Sequence, residues 1–336
     1  MEHVKETELT ASEISSLWTS YMNGALSICI LKYFLNTVQD EEIKPVIEYA
    51  LEVANGYTED IKKVFEKEDF PIPQGFTDND VNMNAPRLVT DIFMLHFVKS
   101  IAKIGLSTFS LARCLSTRQD VRSVFKYCID TTQELDDKAL QVALNKGILI
   151  RPPYLPVPEK VSFVEGTNFM SGFFGERRPL TSIEITSIFT NLDTNLLGSN
   201  LMTAFSQTAQ SQDVKTILWR GKKIADKHAK AFAQKLQEDN LPAPSLWDVS
   251  VTASQEAPFS DKLMLYLTTM LNAAGIGNYG LAAASSMRHD LSFMYARFIA
   301  EIGAFAEDAA DLLIESGWME EPPQSLNRNE LIKKNP

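Results

Sequence analysis

The chain contains an internal repeat, and this feature constrains its fold more than any other. The segment LTASEISSLWTSYMNGALSICILKYFLNTVQDEEIK, which begins at Leu9, aligns without a gap with LTSIEITSIFTNLDTNLLGSNLMTAFSQTAQSQDVK, which begins at Leu180. The register continues through the proline motifs FPIP and LPAP, and after one deletion Asp91 aligns with Asp261. A self-similar segment of this length indicates two copies of one domain.

Each copy begins with a sequence that specifies the start of a helix. Thr10 is followed three residues later by Glu13, and Thr181 is followed in the same way by Glu184. This spacing is typical of a capping box, in which the threonine hydroxyl and the glutamate carboxylate bond to each other's backbone amides. Apolar residues then recur at helical spacing in both copies, which predicts one buried stripe along helix 1.

Three further helices follow in each copy. The FPIP and LPAP motifs end helix 2, because proline lacks an amide donor and disfavours helical geometry at the preceding residue. Gly147 and Gly317 are predicted to end helix 4 in the left-handed conformation, and a proline pair beyond each glycine prevents the helix from restarting. The predicted ranges in the first and second copy are 86–116 and 258–286 for helix 3, each with a proline near its first turn, and 119–146 and 289–316 for helix 4.

The lengths of the links predict the topology. Helices 1 and 2, like helices 3 and 4, are joined by few residues, so each pair must be antiparallel. The link between helices 2 and 3 is long enough to travel the length of a bundle, which favours one long crossover over an up-down-up-down arrangement. We therefore expect an all-α protein of two tandem ferritin-like four-helix bundles, at residues 1–158 and 180–336, joined by a linker at 159–179.

Several motifs carry a resemblance to a known family. They are MNAPRLVTD, AKIGLS, GFFGERRPLT, LPAP with the nearby Trp247, APFSDKLM and NAAGIGNYG. With these segments the chain, from Leu9 to about Arg328, resembles a bacterial family of tandem ferritin-like four-helix proteins found mainly in spore-forming bacteria. The family has no assigned activity, so the resemblance implies a fold and, from its distribution, a role in sporulation or stress.

Charge and cysteine content limit the classes of function. The net charge of −11 opposes binding to nucleic acid or to an anionic membrane surface. Cys29, Cys114 and Cys128 are an odd number of cysteines within apolar helical patterns, which indicates a reducing compartment rather than a disulfide framework. The N-terminal sequence MEHVKETELT lacks the features of a secretory signal. We therefore expect a cytoplasmic protein.

One segment is long enough to test as a membrane span. Residues 263–287 contain no charged residue, but they include threonines, asparagines, serines and glycines, and Lys262 and Arg288 flank them evenly. We therefore expect no membrane span. Because a helix without a charged face must be covered on more than one side, this helix and its counterpart in the first copy are expected to lie at the contact between the repeats or between subunits of a homo-oligomer.

A ferritin-like fold raises the question of a di-metal site. Such a site usually takes Glu-x-x-His pairs from two helices, because residues three apart share a helical face. Phe93, Ala225 and Ser286 stand three residues before His96, His228 and His289, so these histidines have no such pair. A standard di-iron centre is therefore not expected.

A reduced metal site in the second copy remains as an alternative. Apolar residues at helical spacing also predict an inner stripe along helix 2, and His228 lies on it. Helix 4 carries Glu301 and Asp308, of which Asp308 is expected to face inward. One histidine with one or two carboxylates could hold a single divalent ion, Fe, Mn or Zn. The other interpretation is a core histidine hydrogen-bonded to a carboxylate. In the first copy Tyr57 replaces His228, which favours a metal-free bundle.

Two other segments admit both structural and functional interpretations. The glycines of GIGNYG, from Gly275 to Gly280, match a dinucleotide-binding pattern but lack the strand and helix context it requires, so close helix packing is preferred. The linker at 165–181 contains Phe169, Phe173 and Phe174, which are expected to dock on a bundle. The alternative is a lid over a small-molecule pocket.

No catalytic residue is identified, because no serine or cysteine nucleophile can be matched with a histidine base. The sequence therefore favours a non-enzymatic binding or structural protein without a cofactor. The alternatives are a metal-binding protein or metal-dependent oxidoreductase with a site at His228, and a carrier with an apolar cavity between its helices.

Overall fold

A computed structural model of the chain describes residues 7–173, 177–244 and 250–329. Within these residues the regular structure is helical, with two isolated β-bridges and no strand. The α-helices are α1 (Ala11–Thr37), α2 (Lys44–Lys67), α3 (Asp91–Leu115), α4 (Gln119–Asn145), α5 (Ser182–Thr208), α6 (Gln212–Glu238), α7 (Asp261–Ser285) and α8 (His289–Glu315). The predicted all-α fold with a duplicated domain is confirmed.

The helix ends follow the local sequence signals. Thr10 and Thr181 cap α1 and α5, and both capping boxes are complete. Gly147 and Gly317 follow α4 and α8 with φ angles of 66° and 67°, in the left-handed region that glycine adopts without steric cost. These termini are therefore set by a few residues next to the helix rather than by packing.

The starts of α3 and α7 differ from the prediction. Both helices begin at the aligned aspartates, Asp91 and Asp261, and not near the prolines that precede them. Thr90 and Ser260 provide the N-caps. The reason is tertiary, because the residues just before each N-cap pair with the other repeat and are held extended.

Hydrogen bonds between helix ends establish the direction of each helix. The backbone amide of Gln39, just after α1, donates to Asp91 at the start of α3 over 3.1 Å. The amide of Arg118, at the start of α4, donates to Glu13 at the start of α1 over 2.8 Å. The start of α3 therefore lies beside the end of α1, so α2 and α3 are parallel and a long crossover joins them, as the link lengths predict. The second repeat has the same contacts, with Asp261 accepting from Ser211 over 2.7 Å.

The two crossovers pair with each other and join the repeats. One antiparallel bridge joins Val81 to Phe259, and the other joins Val89 to Val251. Val89 and Phe259 occupy aligned positions, and so do Val81 and Val251, so each bridge is the counterpart of the other. The contact is therefore related by an approximate two-fold axis, as in an isologous interface between identical subunits.

Helix α7 lies partly at this contact, as its uncharged sequence predicts. Leu263, Leu265 and Leu267 are buried in one core with residues of the first repeat. The ring of Tyr266 lies 5.1 Å from that of Phe76. The second half of α7 differs, because Leu281 is 73 % exposed. The prediction therefore holds for the first half of the helix.

Helix α3 is the one helix of the described residues with the length and apolarity to cross a membrane, at a mean hydropathy of 1.3. In that window 44 % of the residues are buried within the protein. The core helix of a soluble protein passes the same test, so this observation is weak support for a span. The uncharged segment at 263–287, for which the sequence raised the same question, does not combine this length and apolarity.

Candidate functional site

His228 lies inside the second bundle at the centre of a chain of hydrogen bonds. Its ring is fully buried and stacks on Phe298, with 3.7 Å between the ring centroids. Nδ1 lies 3.1 Å from the hydroxyl of Tyr279, and Nε2 lies 3.1 Å from Oε2 of Glu301. Asn195 donates to the same Tyr279 hydroxyl over 2.7 Å. These hydrogen bonds thus connect α5, α7, α6 and α8, in that order.

One arrangement of protons satisfies every contact in this chain. Burial lowers the pKa of His228, an effect that the Glu301 carboxylate opposes only in part, so the ring is neutral at pH 7. The Tyr279 hydroxyl then donates to Nδ1, and the proton on Nε2 is donated to Glu301. This arrangement is the hydrogen-bonded core histidine that was one of the two interpretations of the sequence.

The three predicted metal ligands do not converge. Glu301 lies beside His228, but its two carboxylate oxygens also accept hydrogen bonds from Lys227, both over 2.8 Å. Asp308 is exposed and forms an ion pair with Arg220 on α6. The expected inward orientation of Asp308 is therefore wrong, because the buried line of α8 at this level passes through its neighbours Phe305 and Ala309.

The donor set around His228 does not fit a metal ion. Both ring nitrogens are engaged, and the nearest carboxylate is bound to an ammonium group. Among residues 7–173, 177–244 and 250–329, no group of three or more His, Cys, Asp or Glu side chains is placed to hold a metal. The metal site at His228, Glu301 and Asp308 therefore stays a prediction without geometric support.

Each bundle contains a cavity, and the two cavities occupy equivalent positions. The first has a volume of about 110 Å³ and the second about 100 Å³. All four helices of a bundle line its cavity, and the third helix of the other repeat also reaches it, through Met270 in the first cavity and Ser100 in the second. Aligned pairs that line both cavities include Ser27 and Gly198, Ala50 and Gly221, Ala54 and Ala225, Gly105 and Gly275, Phe109 and Tyr279, and Leu135 and Phe305.

Small residues line these cavities at matched positions of both copies. Ala54 and Ala225 are alanines in both repeats, and Gly105 and Gly275 are glycines in both. At Gly198 there is no atom within 4 Å of the place where a β-carbon would stand. The absence of a side chain therefore leaves open space at Gly198, whereas Gly105 and Gly221 lie against the rings of Phe109 and Phe305.

A buried amide atom without a partner lies at each cavity. Asn23 lines the first cavity and Asn272 the second. Oδ1 of Asn23 and Nδ2 of Asn272 are buried and form no hydrogen bond with the part of the protein that the structure describes. An unsatisfied buried polar group costs about 1–3 kcal/mol, so both positions would gain from a hydrogen-bonding guest.

A third and larger cavity lies between the repeats. This inter-repeat cleft has a volume of about 400 Å³ and is lined by α3, α4, α5 and the segment that follows α4. Its charged residues are Lys99 and Lys103 of α3, Asp136 of α4 and Asp193 of α5. It is therefore the most polar of the three cavities.

The second half of the linker packs against the second bundle. The guanidinium of Arg178 lies 4.0 Å from the centroid of the Phe169 ring. The ring of Phe173 contacts Phe293 of α8 edge-on, with 5.8 Å between centroids. Docking on the bundle is thus seen at Phe173, whereas Phe169 contacts Arg178 within the linker and Phe174 lies outside the described residues.

Comparison with known proteins identifies the family. A family model described as "Protein of unknown function (DUF3231)" matches residues 2–161 and again residues 168–331. The chain belongs to this family. The two matches of DUF3231 correspond to the two repeats, so the internal duplication is also a duplication of the family's unit.

Other comparisons add little to this assignment. One solved structure, described as a "putative spore coat protein" from Bacillus halodurans C-125, is 20 % identical in sequence and has a TM-score of 0.43. The match covers 45 % of this DUF3231 chain and 98 % of the other chain. A search of curated proteins found no match.

The sequence predicted part of the site of this DUF3231 protein. It identified His228 and Glu301 but not Tyr279 and Asn195, which complete the hydrogen-bond chain. The available signal was a polar residue, Asn195, placed between Leu192 and Leu196 of the predicted buried stripe of helix 1. The cavities had no comparable signal, because small residues in a helix are also typical of close packing.

Proposed function

We propose that the protein is a non-enzymatic binding protein, and that each bundle takes a small, largely apolar molecule with one hydrogen-bonding group. The observation that carries this proposal is the presence of matched cavities, of about 110 and 100 Å³, at equivalent positions of the two repeats. The carrier with an apolar cavity, one of the alternatives drawn from the sequence, is the interpretation that this geometry favours.

Empty space inside each bundle is energetically unfavourable. Enclosed cavities destabilise a protein by about 24 cal/mol per Å³, so a cavity of about 110 Å³ that is partly open to solvent costs at most about 2–3 kcal/mol. A guest that fills the space restores the lost contacts. The two copies differ at many lining positions, as at Phe109 and Tyr279, and both nevertheless leave the same region unfilled.

Size and polarity indicate the class of ligand. An apolar cavity of about 150 Å³ binds benzene, so these cavities suit a molecule of roughly the size of one aromatic ring. Asn23 presents an unpaired oxygen and Asn272 an unpaired amide group. Because a hydroxyl group both donates and accepts, a small alcohol or phenol satisfies either amide.

Phenol and benzene are the probes that test this proposal. We expect phenol to bind more tightly than benzene in a calorimetric or NMR titration, because only phenol pairs with the amides. Gly198→Leu should abolish binding in the second bundle, since the new side chain enters the cavity. Gly277→Leu is the matched control, because Gly277 is an exposed helical glycine with open space around it.

Two results would contradict the proposal. The first is that neither phenol nor benzene shows saturable binding. The second is binding that Gly198→Leu and Gly277→Leu affect equally. Native mass spectrometry of protein purified without organic solvents provides a separate check. The amount of a retained small molecule should be lower in the Gly198→Leu variant, because only the second of the two cavities is filled.

Cellular location and fold relationship belong to the same proposal. A cytoplasmic location is supported by three free cysteines, of which Cys29 and Cys128 are buried and Cys114 is exposed. The ferritin-like relationship of each repeat is supported by the parallel arrangement of α2 and α3 with a long crossover between them.

A further inference from the structure

The inter-repeat cleft has a charge arrangement that is separate from the bundle cavities. Lys99 forms an ion pair with Asp136 over 2.9 Å. Lys103 and Asp193 come from different repeats and both line the cleft. Neither forms an ion pair within 4.0 Å in the described parts of the chain, although their charges attract each other. The cleft thus holds one closed ion pair and one separated pair.

The charged forms of Lys103 and Asp193 are energetically unfavourable in the cleft without a partner. Lys103 remains exposed, yet the protein packed around the cleft lowers its pKa by desolvation, and Asp193 restores it only in part. Burial also raises the pKa of Asp193. Both charged forms are therefore less well stabilised than in water, and each would gain from an oppositely charged group placed between them.

The approximate two-fold symmetry shows that the fold does not require these charges. The positions of Lys99, Lys103, Asp136 and Asp193 correspond in the other repeat to Thr269, Ala273, Ala306 and Met22. None of the four equivalents is charged, and Met22 is 1 % exposed within the core. Uncharged residues can therefore pack at these positions of the interface. The four charged residues occur at one of the two symmetry-related places and not at the other.

We propose that the inter-repeat cleft binds a small zwitterion of the amino-acid type, with its carboxylate on Lys103 and its ammonium group on Asp193. The apolar side chain of the ligand packs against Phe189, Leu197 and Ile150, which line the same cleft. The binding site is complete only with both repeats, because Lys103 belongs to the first and Asp193 to the second.

Charge balance selects a zwitterion over a simple anion or cation. The two lysines and two aspartates of the cleft sum to zero. His96, which also lines it, adds no charge at pH 7, because burial lowers its pKa to about 4. A net-neutral ligand with separated charges pairs with both free groups, whereas a simple ion pairs with one and leaves the other uncompensated.

The test compares an amino acid with its two truncated analogues. L-Alanine, L-valine, L-leucine and L-phenylalanine are titrated first, and L-leucine is compared with 4-methylpentanoate, which lacks the ammonium group, and 3-methylbutylamine, which lacks the carboxylate. We expect at least one of the four amino acids to bind, and the analogues of L-leucine to bind at least tenfold more weakly than L-leucine. Failure of all four to bind at millimolar concentration, or equal binding of the analogues, would overturn the proposal.

Variants locate the binding in the cleft. Lys103→Gln and Asp193→Asn should each weaken amino-acid binding at least tenfold. Lys63→Gln and Asp130→Asn, which change the same charges on exposed surfaces, should leave it unchanged. Equal effects of the cleft and surface variants would refute the assignment.

A double variant separates loss of binding from loss of folding. Lys103→Ala with Asp193→Met introduces the residues found at the equivalent positions of the other repeat. We expect it to fold with a melting temperature at least equal to that of the wild type and to lose amino-acid binding. Retained binding would overturn the proposal. Ala54→Leu, which fills the first bundle cavity, should leave amino-acid binding intact, because that cavity shares no lining residue with the cleft.

Discussion

Neutralising Glu13 should weaken the joint between the start of α1 and the start of α4 in the first bundle. Glu13 has 0 % of its surface exposed. Its carboxylate accepts backbone hydrogen bonds from Thr10 over 2.9 Å, from Thr117 over 2.8 Å and from Arg118 over 2.8 Å. It therefore completes the capping box of α1 and also ties the start of α4 to the start of α1. We predict that Glu13→Gln lowers the free energy of unfolding at pH 7.

The magnitude follows from the three bonds. A hydrogen bond to a charged group contributes roughly 1.5–3 kcal/mol and a neutral one roughly 0.5–1.5 kcal/mol, so each bond that the glutamine oxygen keeps is weakened by about 1 kcal/mol. The amide nitrogen at the other oxygen position cannot accept a hydrogen bond, so the bond there is lost. The total loss is therefore at least about 2 kcal/mol. Urea unfolding followed by circular dichroism measures this loss, and Glu59→Gln, which changes an exposed carboxylate on α2, is the control.

The loss should depend on pH in a defined direction. Burial raises the pKa of Glu13, but the backbone amides of Arg118 and Thr10 outweigh this effect and lower it from 4.5 to about 2. Because the pKa is lower in the folded protein than in the unfolded chain, the contribution of Glu13 is complete above pH 4.5 and is lost as the pH falls toward 2. The wild type and Glu13→Gln should therefore converge near pH 2. A difference that is the same at pH 2 and pH 7, or a loss no larger than that of Glu59→Gln, would refute this reasoning.

Three further predictions concern other parts of the fold. Gly147→Ala and Gly317→Ala should each destabilise the protein by about 1 kcal/mol, because a β-carbon is strained at positive φ; no change in the urea midpoint would contradict this. Tyr279→Phe should cost about 1–3 kcal/mol, because His228 and Asn195 each lose a buried hydrogen-bond partner; urea unfolding should show no such loss for an exposed tyrosine such as Tyr154→Phe. For the metal alternative, elemental analysis of protein purified without chelator should show no stoichiometric metal that His228→Ala removes, whereas such a metal would restore that hypothesis.

The sequence by itself determined the local features of this protein and its internal duplication. The capping boxes at Thr10 and Thr181, and the terminal glycines Gly147 and Gly317, define helix ends through bonds to residues only a few positions away. The alignment of the two copies defined the duplication, and the link lengths defined the crossover. These properties depend on short-range geometry, so a linear pattern is sufficient to predict them.

Only the tertiary structure decided how side chains from different helices meet. Glu301 and Asp308 lie two turns apart on one face of α8, but only Glu301 stands opposite His228, while Asp308 meets Arg220 at the surface. Helical periodicity gives the face of a helix but not the level and partner on the neighbouring helix. The pairing of the crossovers and the cleft between Lys103 and Asp193 depend in the same way on how two bundles dock, which is a property of the folded interface and not of either repeat.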